Sequence, residues 1–506
     1  NYLFTYPYYK INFTLTGYPI TFLLMGGITS CRERPLPPKE PGSTESPGSS
    51  GEKDTEAPAK ADYPASGDYA QKPFRIMQRK EYSFEFDAEN LTGDMVNNAV
   101  YSRNLLVEQT YNCVITTRNF AWTWQNKEML EQLNNLYSVA PEDAFDLISG
   151  YQSYIMPTIL NGWYTDWNTV PYMKTDAEFW QNGINDSATI NGRTYTITGD
   201  LAISFWKMMS TMVFNKTWVS NLTTESLYDV VQDGRWTFEY LKTLCRAASS
   251  NDRTSPDKAG ANNVYGFASD WDVALDGFKE AFDCHTVTRN ADGGLAINIT
   301  SEKMDAVVTA LQNFYDANAS DLCYCYRGVD PTNWFRESKA MIVPMRFEMI
   351  ERLSDVADYG ILPYPKWDAD QKDYAVSIVD GVSMFLMPRT EKDPEFVGII
   401  TMALADQSRK LVIPEYYEKV IRGKAAKDPQ SYVMLDLIRR CATMDFGQLW
   451  SNSLGGVGHM VRGAVESVVH GVTYAPVSIG TKWEEQKETV EAKLRELLLF
   501  FETQPE

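Results

Sequence analysis

His285, His459 and His470 are the three histidines of this chain, and they stand too far apart in sequence to read as a metal-ligating pair. No Gly-x-Ser-x-Gly elbow and no Gly-x-x-x-x-Gly-Lys phosphate cradle occurs. A glycoside hydrolase needs two carboxylates flanking one bond, but with 67 acidic residues abundance alone selects no pair. Asp368 to Asp373 has the alternating acids of a calcium loop without the glycine its sharp turn requires, so it reads as a solvated loop. Cys323-Tyr324-Cys325 is too isolated for a zinc knuckle and reads as two structural thiols. Neither a metal nor a cofactor is expected. What remains is non-covalent capture. Aromatic residues make up 13% of the chain, with 13 Trp and 29 Tyr. Such an excess suits a hydrophobic core, and equally a cleft in which flat C–H faces stack on rings.

The amino-terminal segment has a different chemistry. Ile11 to Met25 is largely apolar, and Gly26-Gly27-Ile28-Thr29-Ser30-Cys31 follows. The run is too short and too interrupted for a stable membrane span and reads as a secretory signal. Its last four residues resemble a bacterial lipobox, which implies cleavage before Cys31 and diacylglycerol on the Cys31 sulfur. Arg32 to Lys72 is rich in Pro, Gly, Ser and Glu, and is expected to be a disordered tether. As a flexible coil it would span about 35 Å root-mean-square. The net charge of −20 argues against nucleic acid as a partner.

The remaining length suggests two or three folding units. Phe74 to Met77, Val114 to Thr117 and Phe145 to Ile148 read as strands. Between them Met95 to Glu108 and Lys127 to Tyr137 carry apolar residues at helical spacing. This alternation argues for a parallel sheet with helices on its faces. Further strands are predicted over Arg193 to Thr198, Thr211 to Phe214, Met341 to Val343, Tyr359 to Leu362 and Asp380 to Leu386. Thr237 and Asp393 are expected to cap helices, and Lys482 to Phe501 to close the chain as a long one. Gly455 to Gly458 reads as a turn between helices.

Several stretches line up with one family. They are Gly93 to Tyr101 with Arg103, Asn104 and Glu108; Phe214-Asn215-Lys216; Asp233 to Glu239; Trp334 to Met341; and Ile413 to Glu418, with Met434 to Ile438 after them. In this order, behind a lipobox, the chain resembles the extracellular solute-binding lipoproteins of bacterial ABC importers, the large sugar-binding type related to maltose-binding protein. The resemblance implies an α/β, two-lobe periplasmic-binding-protein-like (type II) fold with a hinge and a central cleft. It implies a signal peptide over 1–30, a lipidated and disordered stretch over 31–72, one lobe from 73–199 plus 384–440, and another from 200–381 plus 441–506. It also implies a monomer on the outer face of the cell membrane, anchored through Cys31, that passes a carbohydrate to membrane permease subunits and is not an enzyme.

Sugars present hydroxyls and flat C–H faces, so their site needs rings plus groups that make paired hydrogen bonds. The candidates just after predicted strands or beside the crossings are Tyr151, Gln152, Trp163, Asp200, Trp271, Trp334, Arg346, Asp380 and Gly381, with Trp167 and Gly199 close by. Each has a plainer reading: a Trp in the core, an Asp capping a turn, or Arg346 paired with Glu348. The competing functions are a carbohydrate-active enzyme and a receptor feeding a sensor system.

Overall fold

A computed structural model describes residues 62–139, 144–250, 263–270, 272–290, 293–316, 322–325, 330–425, 428–469 and 476–504. Cys31 and Trp271 lie outside the described residues, as does the signal segment.

The strands in chain order are β1 (Lys72–Arg79), β2 (Cys113–Phe120), β3 (Leu147–Tyr151), β4 (Ser210–Asn215), β5 (Tyr265–Ser269), β6 (Val287–Arg289), β7 (Leu295–Ile297), β8 (Cys323–Cys325), β9 (Ala340–Arg346), β10 (Tyr359–Leu362), β11 (Val376–Ser377), β12 (Ser383–Leu386) and β13 (Ala442–Thr443). Four of them form one sheet in the order β12-β3-β1-β2, with β1 parallel to both β2 and β3. Five form a second sheet in the order β10-β4-β9-β5-β8, with β5 parallel to β8 and β9. This is the two-lobe α/β architecture, one sheet to a lobe.

The helices form where the apolar spacing places them. Asp94 accepts from the Asn97 amide to start Met95–Tyr111, and Asn112 ends it in the left-handed conformation. Asp393 caps Pro394–Gln407, whose run from Phe396 to Ala405 is wholly buried. Thr237 caps Phe238–Ala248, and that helix supplies Phe238 to a ring cluster with Phe278 and Phe314. Gly455 and Gly456, both at positive φ, make the turn ahead of the helix Met460–Glu466.

Three expectations are corrected. Arg193 to Thr198 is not a continuous strand: Arg193 bridges to Ile190 and Ile197 to Phe385, while Thr194 and Thr198 bond to Trp167, Asp166, Gln181 and Asn185 of the neighbouring loops. The tether is shorter than expected at its carboxyl end. Tyr63 donates to Asp406 Oδ2 at 2.9 Å, and Tyr69 meets Phe396 edge-on at 4.7 Å, so these two rings hold the stretch before β1 to the first lobe. The helix Pro429–Arg440, expected with the first lobe, packs on β10 and on the helix Leu227–Gln232 of the second.

Two passages join the lobes side by side. Met209 bridges antiparallel to Ile378, and the Val379 amide donates to Met208 O at 3.0 Å. Ile197 and Phe385 exchange backbone hydrogen bonds of 2.8 and 3.1 Å. Gly199 follows at a point where a Cβ would stand 2.2 Å from Phe179 O, so only glycine fits. Among the described residues, no helix is long and apolar enough to cross a membrane.

Candidate ligand-binding cleft

The parallel strands β1, β2 and β3 end at one edge of their sheet, and β5 and β9 end together in the other. Loops at the carboxyl ends of parallel strands are where open sheets build sites. Here both sets of loops line one cleft of about 760 Å³. β1 supplies its last residue, Arg79, and the turn after it supplies Glu81 and Tyr82. β2 is followed by Trp122, Thr123 and Trp124. β3 ends on Tyr151, and Tyr154 lies one turn on. From the second lobe come Asp272 after β5, Arg346 as the last residue of β9, Glu348 beyond it, and Arg462. Met208, Val379, Asp380 and Gly381 of the crossing passages close the base.

The rings are fixed against one another. The Arg79 guanidinium carbon stands 3.8 Å from the centre of the Tyr82 ring and 4.5 Å from that of Tyr151, a cation between two π faces. Tyr151 meets Tyr154 edge-on at 4.9 Å, and Tyr154 lies parallel to Trp122 at 6.3 Å. Burial pushes the Tyr82 hydroxyl up to about 12, so it stays a neutral donor and acceptor. Trp124 is 75% exposed, an indole left in water at the rim.

The polar groups are partly committed. Arg346 pairs with Glu348 at 3.0 Å, Arg462 with Asp276 at 2.9 Å, and Ser153 Oγ donates to Asp380 at 2.8 Å. Arg79 Nη1 donates to Gly381 O at 3.2 Å. Yet Arg79 Nε, Arg346 Nε and Trp122 Nε1 are buried with no partner among the described residues. All three are carried on side chains that line this one cleft.

Of the residues singled out in the sequence, Tyr151, Arg346, Asp380 and Gly381 meet here. The others are drawn elsewhere by packing. Gln152 is buried and donates to Leu449 O. Trp163 stacks on Tyr137 at 4.7 Å, and Trp334 on Tyr324 at 4.0 Å. Trp167 is core, its indole donating to Phe385 O. Asp200 faces Arg409 at 3.4 Å, and burial raises its carboxyl to about 6 against that pull. Arg79, Tyr82, Trp122, Trp124, Tyr154, Asp272 and Arg462 were missed in the sequence. Trp122 and Trp124 follow a predicted strand just as Tyr151 does, so the same rule reaches them.

Folding also gathers groups that the sequence spreads apart. Glu280, His285 and Asp445 bring potential ligand atoms within 4.8 Å of one another. Lys279 stands 2.7 Å from Asp445, both side chains 1% exposed, so Asp445 has a buried cation to neutralise. The thiols of Cys113, Cys245, Cys284, Cys323 and Cys325 are buried; burial lifts those of Cys113 and Cys284 to about 11.

This arrangement defines a class of fold, the two-lobe periplasmic-binding-protein-like α/β fold with a hinge and an interlobe cleft. No protein-family profile matches the chain, and no curated protein matches it. Solved structures do. The sugar-binding protein MalE of Xanthomonas citri superposes with a TM-score of 0.58 at 12% identity, over 86% of this chain and 100% of its own. UgpB of Mycobacterium tuberculosis, solved with glycerophosphocholine, gives 0.53 at 12% identity, over 84% and 99%. The GacH receptor of Streptomyces glaucescens, solved with acarbose, gives 0.50 at 11%, over 83% and 99%.

Proposed function

We propose that this chain is an extracellular receptor that captures a carbohydrate in its interlobe cleft and presents it to the permease of an ABC importer. The observation that carries this reading is the cleft itself. Both lobes line it, rings alternate with hydrogen-bonding groups, and its walls carry Arg79, Arg346, Glu348, Asp380 and Arg462 as polar partners for a ligand. Sugar hydroxyls pair with such groups, and pyranose C–H faces suit the half-buried rings of Tyr82 and Tyr151 and the exposed indole of Trp124. The superposed structures solved with acarbose and with glycerophosphocholine support capture of a small solute by this fold.

Ligand touching both lobes favours the closed arrangement over the open one, and the permease selects the closed form. Tyr151, Arg346, Asp380 and Gly381 take ligand contacts together with Arg79, Tyr82, Trp122 and Trp124. The receptor is held at the outer membrane face by lipid on Cys31 and acts as a monomer. It binds without cleaving. Isothermal titration against a panel of mono- and oligosaccharides, with chromatography of the recovered sugar, tests this. A saturable heat near micromolar Kd, about −8 kcal/mol, with the sugar returned intact supports it. Hydrolysed sugar, or no heat from any saccharide, contradicts it.

A further inference from the structure

Behind the second-lobe wall of the cleft stands a carboxylate that does not itself line it. Asp276, on the helix Val273–Ala281, is 7% exposed, and its Oδ2 accepts from Arg462 Nη1 at 2.9 Å. Arg462, on the helix Met460–Glu466, does line the cleft. Resting on the carbohydrate reading above, we propose that Asp276 is a positioning residue of the cleft: it holds the Arg462 guanidinium in place for ligand without touching ligand itself.

Burying a carboxylate is costly unless a cation meets it. The cation that meets this one at hydrogen-bond distance belongs to the cleft. His459 Nδ1, three residues before Arg462, stands farther off, at 3.7 Å from the same oxygen. Burial pushes the Asp276 carboxyl up, but Arg462 first, then His459 and Lys279, hold it below the usual carboxylate range, so it stays charged.

Asp276 is itself fixed from behind. Lys279, one turn on, shares its helical face and is tied to Asp445 at 2.7 Å. Gly277 lets the same helix lie against Tyr364, where a Cβ would stand 2.6 Å from the ring carbon Cζ. The anchor therefore has little room to shift.

A free arginine side chain must give up many rotamers to meet a ligand. Asp276 settles that ordering in the folded protein, before ligand arrives. It uses one N–H of a guanidinium that has five. On the cleft wall Arg462 also has the carboxylates of Asp272 and Asp380 near it. Burial works against the Arg462 charge, and Asp276 first, then Asp380 and Asp272, outweigh it. Without Asp276 the guanidinium turns to these two carboxylates, which withdraws a donor and its acceptors from the ligand together.

The test is a cycle of four proteins: wild type, Asp276→Asn, Arg462→Gln and the double variant. Each is titrated calorimetrically with the saccharide of the panel above that binds the wild type most tightly. Urea unfolding checks that all four fold. Should Arg462→Gln unfold, Arg462→Lys, which still meets Asp276 but lacks the planar fork, completes the cycle with the same reading. Asp276→Asn should lose about tenfold in affinity. On the Arg462 variant the same change should add much less, because Asp276 acts through Arg462. Wild-type affinity in Asp276→Asn, or losses that multiply in full in the double variant, overturns the positioning role and leaves the carbohydrate reading standing. No saccharide bound by the wild type overturns both.

Discussion

Arg79 and Gly381 are joined across the base of the cleft: the Arg79 guanidinium, held between the rings of Tyr82 and Tyr151, donates to the carbonyl of Gly381 at 3.2 Å. One side chain thereby ties the end of β1 to the passage that links the lobes. It also leaves its Nε buried and unpaired beside the cleft.

Replacing Arg79 should therefore cost both ligand affinity and fold stability. Arg79→Ala removes a stacked cation and a charged donor together, at ~1–2 kcal/mol or more of binding, about tenfold in Kd. Arg79→Lys should fall between, because an ammonium cannot copy the planar fork. Calorimetric titration of both variants with a saccharide that binds the wild type gives the ranking. Equal affinity in all three proteins would remove Arg79 from the site.

The buried Lys279–Asp445 pair predicts a stability effect away from the cleft. Removing one partner strands a buried charge, so Asp445→Asn or Lys279→Met alone should lose about 3–5 kcal/mol. The double variant should recover most of that loss, since Asn can still cap the helix Phe446–Leu449 as Asp445 does. Urea unfolding of the four proteins forms the cycle. A double variant as unstable as the sum of the singles would refute the pairing.

His285 predicts a dependence on pH. Its Nε2 lies 3.5 Å from Glu280 and 3.6 Å from Asp283. Burial opposes its charge, but Glu280, Asp445 and Asp283 outweigh that and raise it from 6.5 to about 9. The folded state thus holds this proton more tightly than the unfolded chain does. Its contribution to stability is complete below about pH 6.5 and fades as pH rises through 9. Between pH 6 and 10, wild-type stability should fall more steeply than that of His285→Gln. Parallel curves would show that His285 gains no proton affinity on folding.

Much of the frame was legible in the sequence because it rests on local signals. The helix over 95–111 and its Asp94 cap, the buried interior after Pro394 and the three parallel strands of the first sheet all follow from spacing and capping. The site was legible only where a side chain directly ends a strand or flanks a crossing, as Tyr151, Arg346, Asp380 and Gly381 do. Trp163 and Trp334 carry the same ring as Trp122, and nothing in their local sequence reveals that Tyr137 and Tyr324 cover them. The amphipathic face of Pro429–Arg440 fits either sheet, so its place on β10 depends on contacts made far along the chain. Glu280, His285 and Asp445 meet only through the fold.

Small-angle scattering on the protein, with and without a saturating saccharide, tests interlobe capture most directly. Closure about the passages at Met208–Met209 and Ile378–Val379 predicts a smaller radius of gyration in the liganded protein, and for Arg79→Ala the same compaction reached only at about tenfold higher sugar concentration. An identical profile at proven saturation of the wild type would contradict capture by closing lobes.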